Sequence, residues 1–439
     1  MTTAARALLE RLYAVAVEAA HPQSCLPPHL PAPPPPPGRL VILAAGKAAG
    51  AMAEVAERHY LHDGGLPSNR LAGIAVARHG YGRLTRALTM VEAGHPVPDQ
   101  AGLDAAEDAL RMAGQASADD LILVLLSGGA SANWIAPAAG LSLPEKQEVT
   151  RALLRSGATI GEINTVRKHL SRIKGGRLAA HARPARLLTL AISDVPGDDP
   201  AVIGSGPTVP DPSTLADAVA IAARHRLDLP DAVRRVLADP ESETPKPGDP
   251  VFAGTEFRLV ARPADAFRAA EAAARAARFD CILLGDGLEG EARDVAAAHA
   301  ALARELAAAG RRAIILSGGE LTVTIAGRGH GGPNQEYALA LALALEGSPG
   351  ITALAADTDG TDGGAGSARD PAGAVVDGTT VPRARALGLD PAAFLADNDS
   401  TGFFARLGDL LTPGPTYTNV NDFRAILVDE PPAPARNRG

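Results

Sequence analysis

At 439 residues the chain is too long for one ordinary core, so two domains are expected. A net charge of -8, a pI near 5.8 and 3% aromatic residues exclude a nucleic-acid binder that works by charge and base stacking. No apolar run reaches the ~18–20 residues of a membrane span, and the two cysteines, Cys25 and Cys281, cannot staple a chain this long, which points to a cytoplasmic protein with reduced thiols.

Residues 4–20 set Arg6, Glu10, Arg11 and Glu18 among apolar positions, the pattern of an amphipathic helix and not of a signal peptide. Pro27–Gly38 is a proline-rich, extended connector leading into a first strand, Arg39–Ala45. Strands follow at 71–77, 120–126 and 187–193, with helices at 47–60, 100–113 and 144–158; Ser142 and Glu145 have the spacing of a capping box for the last. This alternation predicts a Rossmann-like α/β domain with a mainly parallel sheet, whose ligands gather at the carboxyl ends of the strands.

Three turns fall at those ends. Gly46-Lys47 follows the first strand, and a lysine at a strand-to-helix turn suits a phosphate or a carboxylate, although Ala48 stands where a Walker motif would hold magnesium. Ser127-Gly128-Gly129-Ala130-Ser131 ends the strand Leu121–Leu126 and offers N–H groups and hydroxyls to an anion. Asp194 ends a third strand, placed to ligate magnesium or to accept a hydroxyl proton, whereas Asp198 and Asp199 read as turn residues. Between these turns, Ile163–Lys174 reads as a helix with Arg167, Ser171 and Lys174 on one basic face. The chain's lysines are only Lys47, Lys146, Lys168, Lys174 and Lys246, so those in motifs stand out.

A polar, proline-rich stretch at Asp239–Pro250 marks the expected boundary between an N-terminal domain, 1–245, and a C-terminal domain, 250–431. Strands near 257–261, 280–284, 312–316, 321–326, 351–356 and 424–428 predict a mixed α/β sheet, because 312–316 and 321–326 flank a tight turn and read as an antiparallel pair. That turn, Ser317-Gly318-Gly319-Glu320, echoes Ser127–Gly129, and the segment after it carries Arg328 and Asn334 before an apolar helix at Tyr337–Leu345. The loop Asp357–Gly364, with Asp359, lacks the distal glutamate of an EF-hand and reads as a polar active-site loop. Gly285–Gly290 has the spacing of a dinucleotide fingerprint, but Asp286 and Glu289 would face the pyrophosphate, which disfavours a nicotinamide cofactor.

Taken together, Gly46-Lys47, Leu126-Ser-Gly-Gly-Ala-Ser, Asn164-Thr-Val-Arg-Lys-His-Leu, Ser193-Asp-Val-Pro-Gly-Asp and Gly204-Ser-Gly-Pro-Thr resemble the N-terminal domain of class II glycerate 2-kinases. Gly285-Asp-Gly-Leu-Glu-Gly-Glu-Ala-Arg, Ser317-Gly-Gly-Glu, Gly331-Gly-Pro-Asn-Gln-Glu, Asp359-Gly-Thr-Asp-Gly and Thr418-Asn-Val-Asn-Asp resemble their C-terminal MOFRL domain. Two positions depart from the family: Pro333 stands where many members have arginine, which leaves Arg328 to supply that charge, and Tyr417 replaces a glycine.

The resemblance implies ATP- and Mg2+-dependent phosphorylation of D-glycerate at its 2-hydroxyl, in a cleft between the domains. Lys47, Asp194 and Arg328 would be catalytic, with Asp194 also a candidate metal ligand. Gly46, Ser127, Gly128, Gly129, Ser131, Arg167, Lys174, Ser317, Gly318, Gly319, Glu320, Asn334, Asp359, Asn421 and Asp422 would contact substrate or nucleotide. The partners would be glycerate and ATP, without nucleic acid or membrane, and self-association is left open. Members also bear the name hydroxypyruvate reductase; an NAD(P)H-dependent reductase and a noncatalytic phosphometabolite-binding protein are the alternative readings.

Overall fold

Leu121–Leu126 is buried along its whole length, as a strand covered on both faces must be. In the computed structural model, which describes residues 3–364 and 367–429, it is the fourth strand of a six-stranded sheet. The strands are β1 (Leu40–Ala45), β2 (Leu71–Arg78), β3 (Thr89–Ala93), β4 (Leu121–Leu126), β5 (Arg186–Ile192) and β6 (Thr255–Ala261). All pair in parallel in the order β3-β2-β1-β4-β5-β6, the order of doubly wound nucleotide-binding folds, and the winding reverses between β1 and β4. The registers Ala45↔Leu126 and Leu126↔Ala191 set the carboxyl ends of β1, β4 and β5 side by side.

The helix Gln100–Gly114 turns Ala105, Ala106, Ala109 and Ala113 into the core of this sheet. Four more helices, Leu143–Arg155, Ile160–His169, Leu215–Arg224 and Asp231–Ala238, bury Val149, Leu153, Ile163, Val166, Ile221 and Val233 in a core of their own. The capping box is formed: Ser142 Oγ accepts from Glu145 N at 3.4 Å, and Glu145 Oε2 accepts from Ser142 N at 2.8 Å.

Sheet and helical layer together make one unit, Pro22–Ala261; a second unit comprises Met1–His21 with Arg262–Gly439. These limits differ from the expected 1–245 and 250–431 in two respects. Strand β6, placed by the sequence reading in the C-terminal domain, pairs with β5 at the edge of the first sheet. The first helix, Thr3–Ala20, packs on the helix Pro263–Ala276 and belongs to the second unit. There Tyr13 donates its hydroxyl hydrogen to Asp357 O at 2.8 Å and meets the Phe423 ring edge-on, 6.1 Å between centroids.

The second unit has β7 (Asp280–Leu283), β8 (Leu288–Glu291), β9 (Ala313–Ser317), β10 (Gly319–Thr322), β11 (Ile351–Asp357), β12 (Gly373–Asp377), β13 (Leu410–Leu411) and β14 (Asp422–Val428). Its main sheet, in the order β13-β12-β11-β14-β9-β7, is mixed: only the β7–β9 pair is parallel. The expected antiparallel pair 312–316 with 321–326 does not form. β10 instead pairs in parallel with β8 in a separate two-stranded sheet. Gly319 makes this possible: its φ is +98°, and a Cβ there would lie 2.1 Å from Leu288 O.

Candidate active site

The reversal point between β1 and β4 brings together the first two glycine turns. Lys47 N donates to Gly128 O at 2.8 Å, and Ala48 N donates to the buried Ser127 Oγ at 2.9 Å, so the turns brace each other. Gly46 fits here because it has no side chain: with φ at +120°, a Cβ would lie 2.4 Å from Ser127 Oγ and 2.5 Å from Ser127 O. Gly129, at φ +84°, leaves room for its neighbours, since a Cβ on it would come 3.0 Å from the His95 ring and 3.3 Å from Lys47 Cγ. Lys47 and Asp194 are both half-buried. Asp194 stands two residues past the end of β5, on the same rim as Lys47 and Ser127.

Beside this rim lies a cavity of about 180 Å³ lined by His95, Gly129, Ser131, Lys146, Arg167 and Lys174, among others. Lys174 is 2% exposed, and its Nζ donates to Ser131 O at 2.7 Å, Ser131 Oγ at 3.1 Å and Trp134 O at 3.1 Å. Burial, and then the Arg167 charge, push its pKa down to about 7, against three acceptors that favour the ammonium. Ser131 Oγ in turn lies 2.8 Å from Ser205 Oγ. Burial pulls the Arg167 guanidinium below its usual range as well.

The expected helix Ile163–Lys174 ends early, at His169. Ser171 Oγ accepts from the N–H groups of Ile173 and Lys174, both at 3.3 Å, and this local turn replaces the next helical turn. Arg167, Ser171 and Lys174 therefore share no helix face. A bend, not a face, brings Arg167 and Lys174 to one cavity. Lys146, which the sequence reading passed over, lines it too: at 2% exposed, its Nζ donates to Arg167 O at 2.9 Å and Leu170 O at 2.8 Å. Its place was legible, since Lys146 precedes Val149 and Leu153 by three and seven residues, on the buried stripe of its helix.

In the second unit the remaining candidates gather around β9, β11 and β14. Arg424, also missed from sequence, is 1% exposed and holds three of them: its guanidinium donates to Asp422 Oδ2 at 2.8 Å, to Ser317 Oγ at 3.4 Å and to Gly318 O. Asn334 Nδ2 donates to Asp422 Oδ1 at 2.6 Å and to Asp362 Oδ1 at 3.2 Å. Asp362 also takes the N–H groups of Asn334 and Gln335 at the start of the helix Pro333–Ala344. Burial, and then the Asp422 charge, push its carboxyl up to about 7 against those donors.

Asp359 Oδ1 accepts from Thr361 N at 2.8 Å, which makes it a loop-closing residue in this geometry. Asn421 has φ +67° and hands its carbonyl to Thr358 Oγ and Thr358 N. Tyr417 has φ +60°, the backbone a glycine adopts freely. Arg328 and Glu320 are exposed; Arg328 N is tied to Asp397 Oδ1 at 3.0 Å.

Gly285–Gly290 does not open a helix, as a dinucleotide turn does. Its second half is strand β8, and the helix Ala292–Ala308 starts only after it. Among the described residues, no three His, Cys, Asp or Glu side chains gather as a metal cage, and no helix is long and apolar enough to cross a membrane.

Comparison with known proteins places the chain in a family. Residues 8–238 match a domain of unknown function, DUF4147, and residues 313–422 match the MOFRL family. A D-glycerate 2-kinase of Thermotoga maritima is 38% identical, over 89% of this chain and 91% of its own. An Agrobacterium vitis protein, provisionally named a hydroxypyruvate reductase, is 47% identical over 97% of this chain and 94% of its own. The crystal structure of a Thermotoga maritima glycerate kinase superposes with a TM-score of 0.84 at 36% identity, over 97% of this chain and all of that one. The chain therefore belongs to the class II glycerate kinase family and carries its MOFRL domain.

Proposed function

We propose that the protein transfers the γ-phosphoryl group of ATP to the 2-hydroxyl of D-glycerate, giving 2-phosphoglycerate and ADP. The observation that carries this reading is Lys47, set at the reversal point of a doubly wound sheet on two mutually bonded glycine turns. Phosphoryl transfer asks a protein mainly for positioned positive charge and an aligned hydroxyl. Lys47 supplies the charge, and the turns at Gly46 and Ser127–Gly129 supply close backbone approach. The substrate oxygen forms the new P–O bond as the bond to the β-phosphate breaks and the electron pair leaves with ADP.

In this scheme Asp194 either takes the hydroxyl proton or holds the metal ion. Mg2+ bound with the nucleotide would neutralise negative charge on its phosphates. Such an ion keeps water and phosphate ligands and takes one or two carboxylates, and Asp194 is the carboxylate on this rim that would hold it. Arg328 is retained as a candidate catalytic residue, and Ser317–Gly319, Glu320, Asn334, Asp359, Asn421 and Asp422 as candidate contacts for substrate or nucleotide.

The reductase name borne by some relatives is the second reading. Against it stand the acidic residues Asp286 and Glu289, and the strand where a phosphate-binding helix would begin. One pair of assays decides. ADP release with D-glycerate, coupled through enolase so that only the 2-phosphate registers, is expected to proceed. NADH oxidation with hydroxypyruvate is expected to stay at background. NADH turnover without ADP release would replace the kinase by the reductase.

A further inference from the structure

We propose that the cavity lined by Lys146, Arg167 and Lys174 holds the carboxylate of the acceptor, and that Lys146 and Arg167 restrict the enzyme to acids over their neutral analogues. This rests on the kinase reading above and assigns one end of the acceptor to a defined place.

The charge arrangement carries the argument. Three cationic side chains line about 180 Å³, and no Asp or Glu is among the lining residues. Both lysines are 2% exposed, and the partners of their Nζ atoms are carbonyl and hydroxyl oxygens. Burying an ammonium without a counter-ion costs several kcal/mol, and burial accordingly pushes both lysines below the usual amine range; a bound anion would hold them protonated. Lys146 uses two of its three N–H groups on Arg167 O and Leu170 O, which leaves one for a ligand. The Arg167 guanidinium has no carboxylate partner among the described residues. A site built this way is completed by an anion that arrives from outside.

Size and position select which anion. The cavity falls below the ~300–1,000 Å³ of pockets that take drug-sized ligands, so it admits a three-carbon acid and not a nucleoside triphosphate. Gly129 lines the cavity and also faces the Lys47 stem, 3.3 Å from where its Cβ would stand. An acid held by its carboxylate here presents its neighbouring hydroxyl toward Lys47. Lys146 has a structural role as well, since it caps the last carbonyls of the helix Ile160–His169. Arg167→Gln avoids that complication, because Lys146 bonds only the backbone of residue 167.

The test compares wild type, Arg167→Gln and Lys146→Met by titration with D-glycerate, with malonate and with MgATP, and by turnover with D-glycerate and with glyceramide. Each variant is expected to bind D-glycerate and malonate at least tenfold more weakly, with MgATP affinity within twofold. The preference for glycerate over glyceramide should fall by at least tenfold in kcat/KM. A loss of MgATP affinity at unchanged glycerate affinity would make this a nucleotide-phosphate site and overturn the proposal. Unchanged binding of both in Arg167→Gln would overturn it equally, leaving a structural cation cluster. If wild type fails to phosphorylate glycerate, the kinase reading falls, while malonate binding in wild type and its loss in Arg167→Gln still decide this one.

Discussion

Replacing Arg424 by methionine tests how the second unit holds its glycine turn. The guanidinium is 1% exposed and spans three acceptors: Asp422 Oδ2, Ser317 Oγ and Gly318 O. Methionine keeps much of the volume but leaves the Asp422 carboxylate, itself 6% exposed, with Asn334 Nδ2 on its other oxygen as the one side-chain donor among the described residues. Removing one member of a buried ion pair costs about 3–5 kcal/mol, most of it from the charge left behind. For a unit of this size that lowers the melting temperature by roughly 6–20 °C. Loss should therefore be largely recovered in the double variant Asp422→Asn, Arg424→Met, which removes both charges. The only tryptophan, Trp134, lies in the Pro22–Ala261 unit, so its fluorescence cannot report this event. Hydrogen exchange of β9 and β14 during urea unfolding can, with Trp134 as the internal control. A single variant within 1 kcal/mol of wild type, or a double variant no better than the single, would refute the reasoning.

Lys47→Ala is expected to lower turnover by ~10² or more, because a preorganised charge acts strongly in a water-poor site, while the urea midpoint stays put; near-normal turnover would reduce Lys47 to a surface cation. Asp194→Asn separates two roles: a proton acceptor predicts ~10²–10⁴ lower turnover at unchanged MgATP affinity, whereas a metal ligand predicts weaker MgATP binding that added magnesium partly restores. His299 carries a pH prediction, since burial and then the Arg424 charge push its imidazole down to about 4 beside the Tyr337 hydroxyl. Its folded pKa lies below the unfolded one, so its contribution is present above pH ~6.5 and is lost as pH falls toward ~4, about 3 kcal/mol in all. His299→Asn should remove that acid limb from unfolding curves taken between pH 7.5 and 4.

Much of the first sheet was legible because parallel strands buried on both faces appear as unbroken apolar runs, as in Leu40–Ala45 and Leu121–Leu126. Turn residues at their ends then marked one rim of the sheet, while the reversal point between β1 and β4 needed the strand order. Pairing was less legible. Nothing local to Gly319–Thr322 says that its partner is Leu288–Glu291 and not the neighbouring β9; that choice depends on a backbone approach which only glycine at 319 permits. The overextended helix at Ile163–Lys174 has the same origin: apolar spacing continued past His169, but a single hydroxyl, Ser171, offered the backbone a competing turn. Lys146 could have been found from its place on an apolar stripe. Arg424 could not, because a strand buried at every position gives no inward and outward pattern to read.

The helix Thr3–Ala20 has a consequence for how the protein is made. Leu9, Leu12, Tyr13 and Ala16 on this helix are buried in the finished molecule, against elements that begin at Arg262. During translation the whole of Pro22–Ala261 is synthesised in between, which at ~5–20 residues per second takes on the order of 10–50 s. For that interval the helix has its apolar stripe bare on the ribosome, while the unit downstream of it can close its own core. Expression of Pro22–Ala261 alone should therefore yield a soluble fragment, whereas residues 262–429 without the helix should expose the Phe423 and Phe267 rings that it covers or adjoins. Synthesis order, and not only stability, bears on which truncations of this chain survive in a cell.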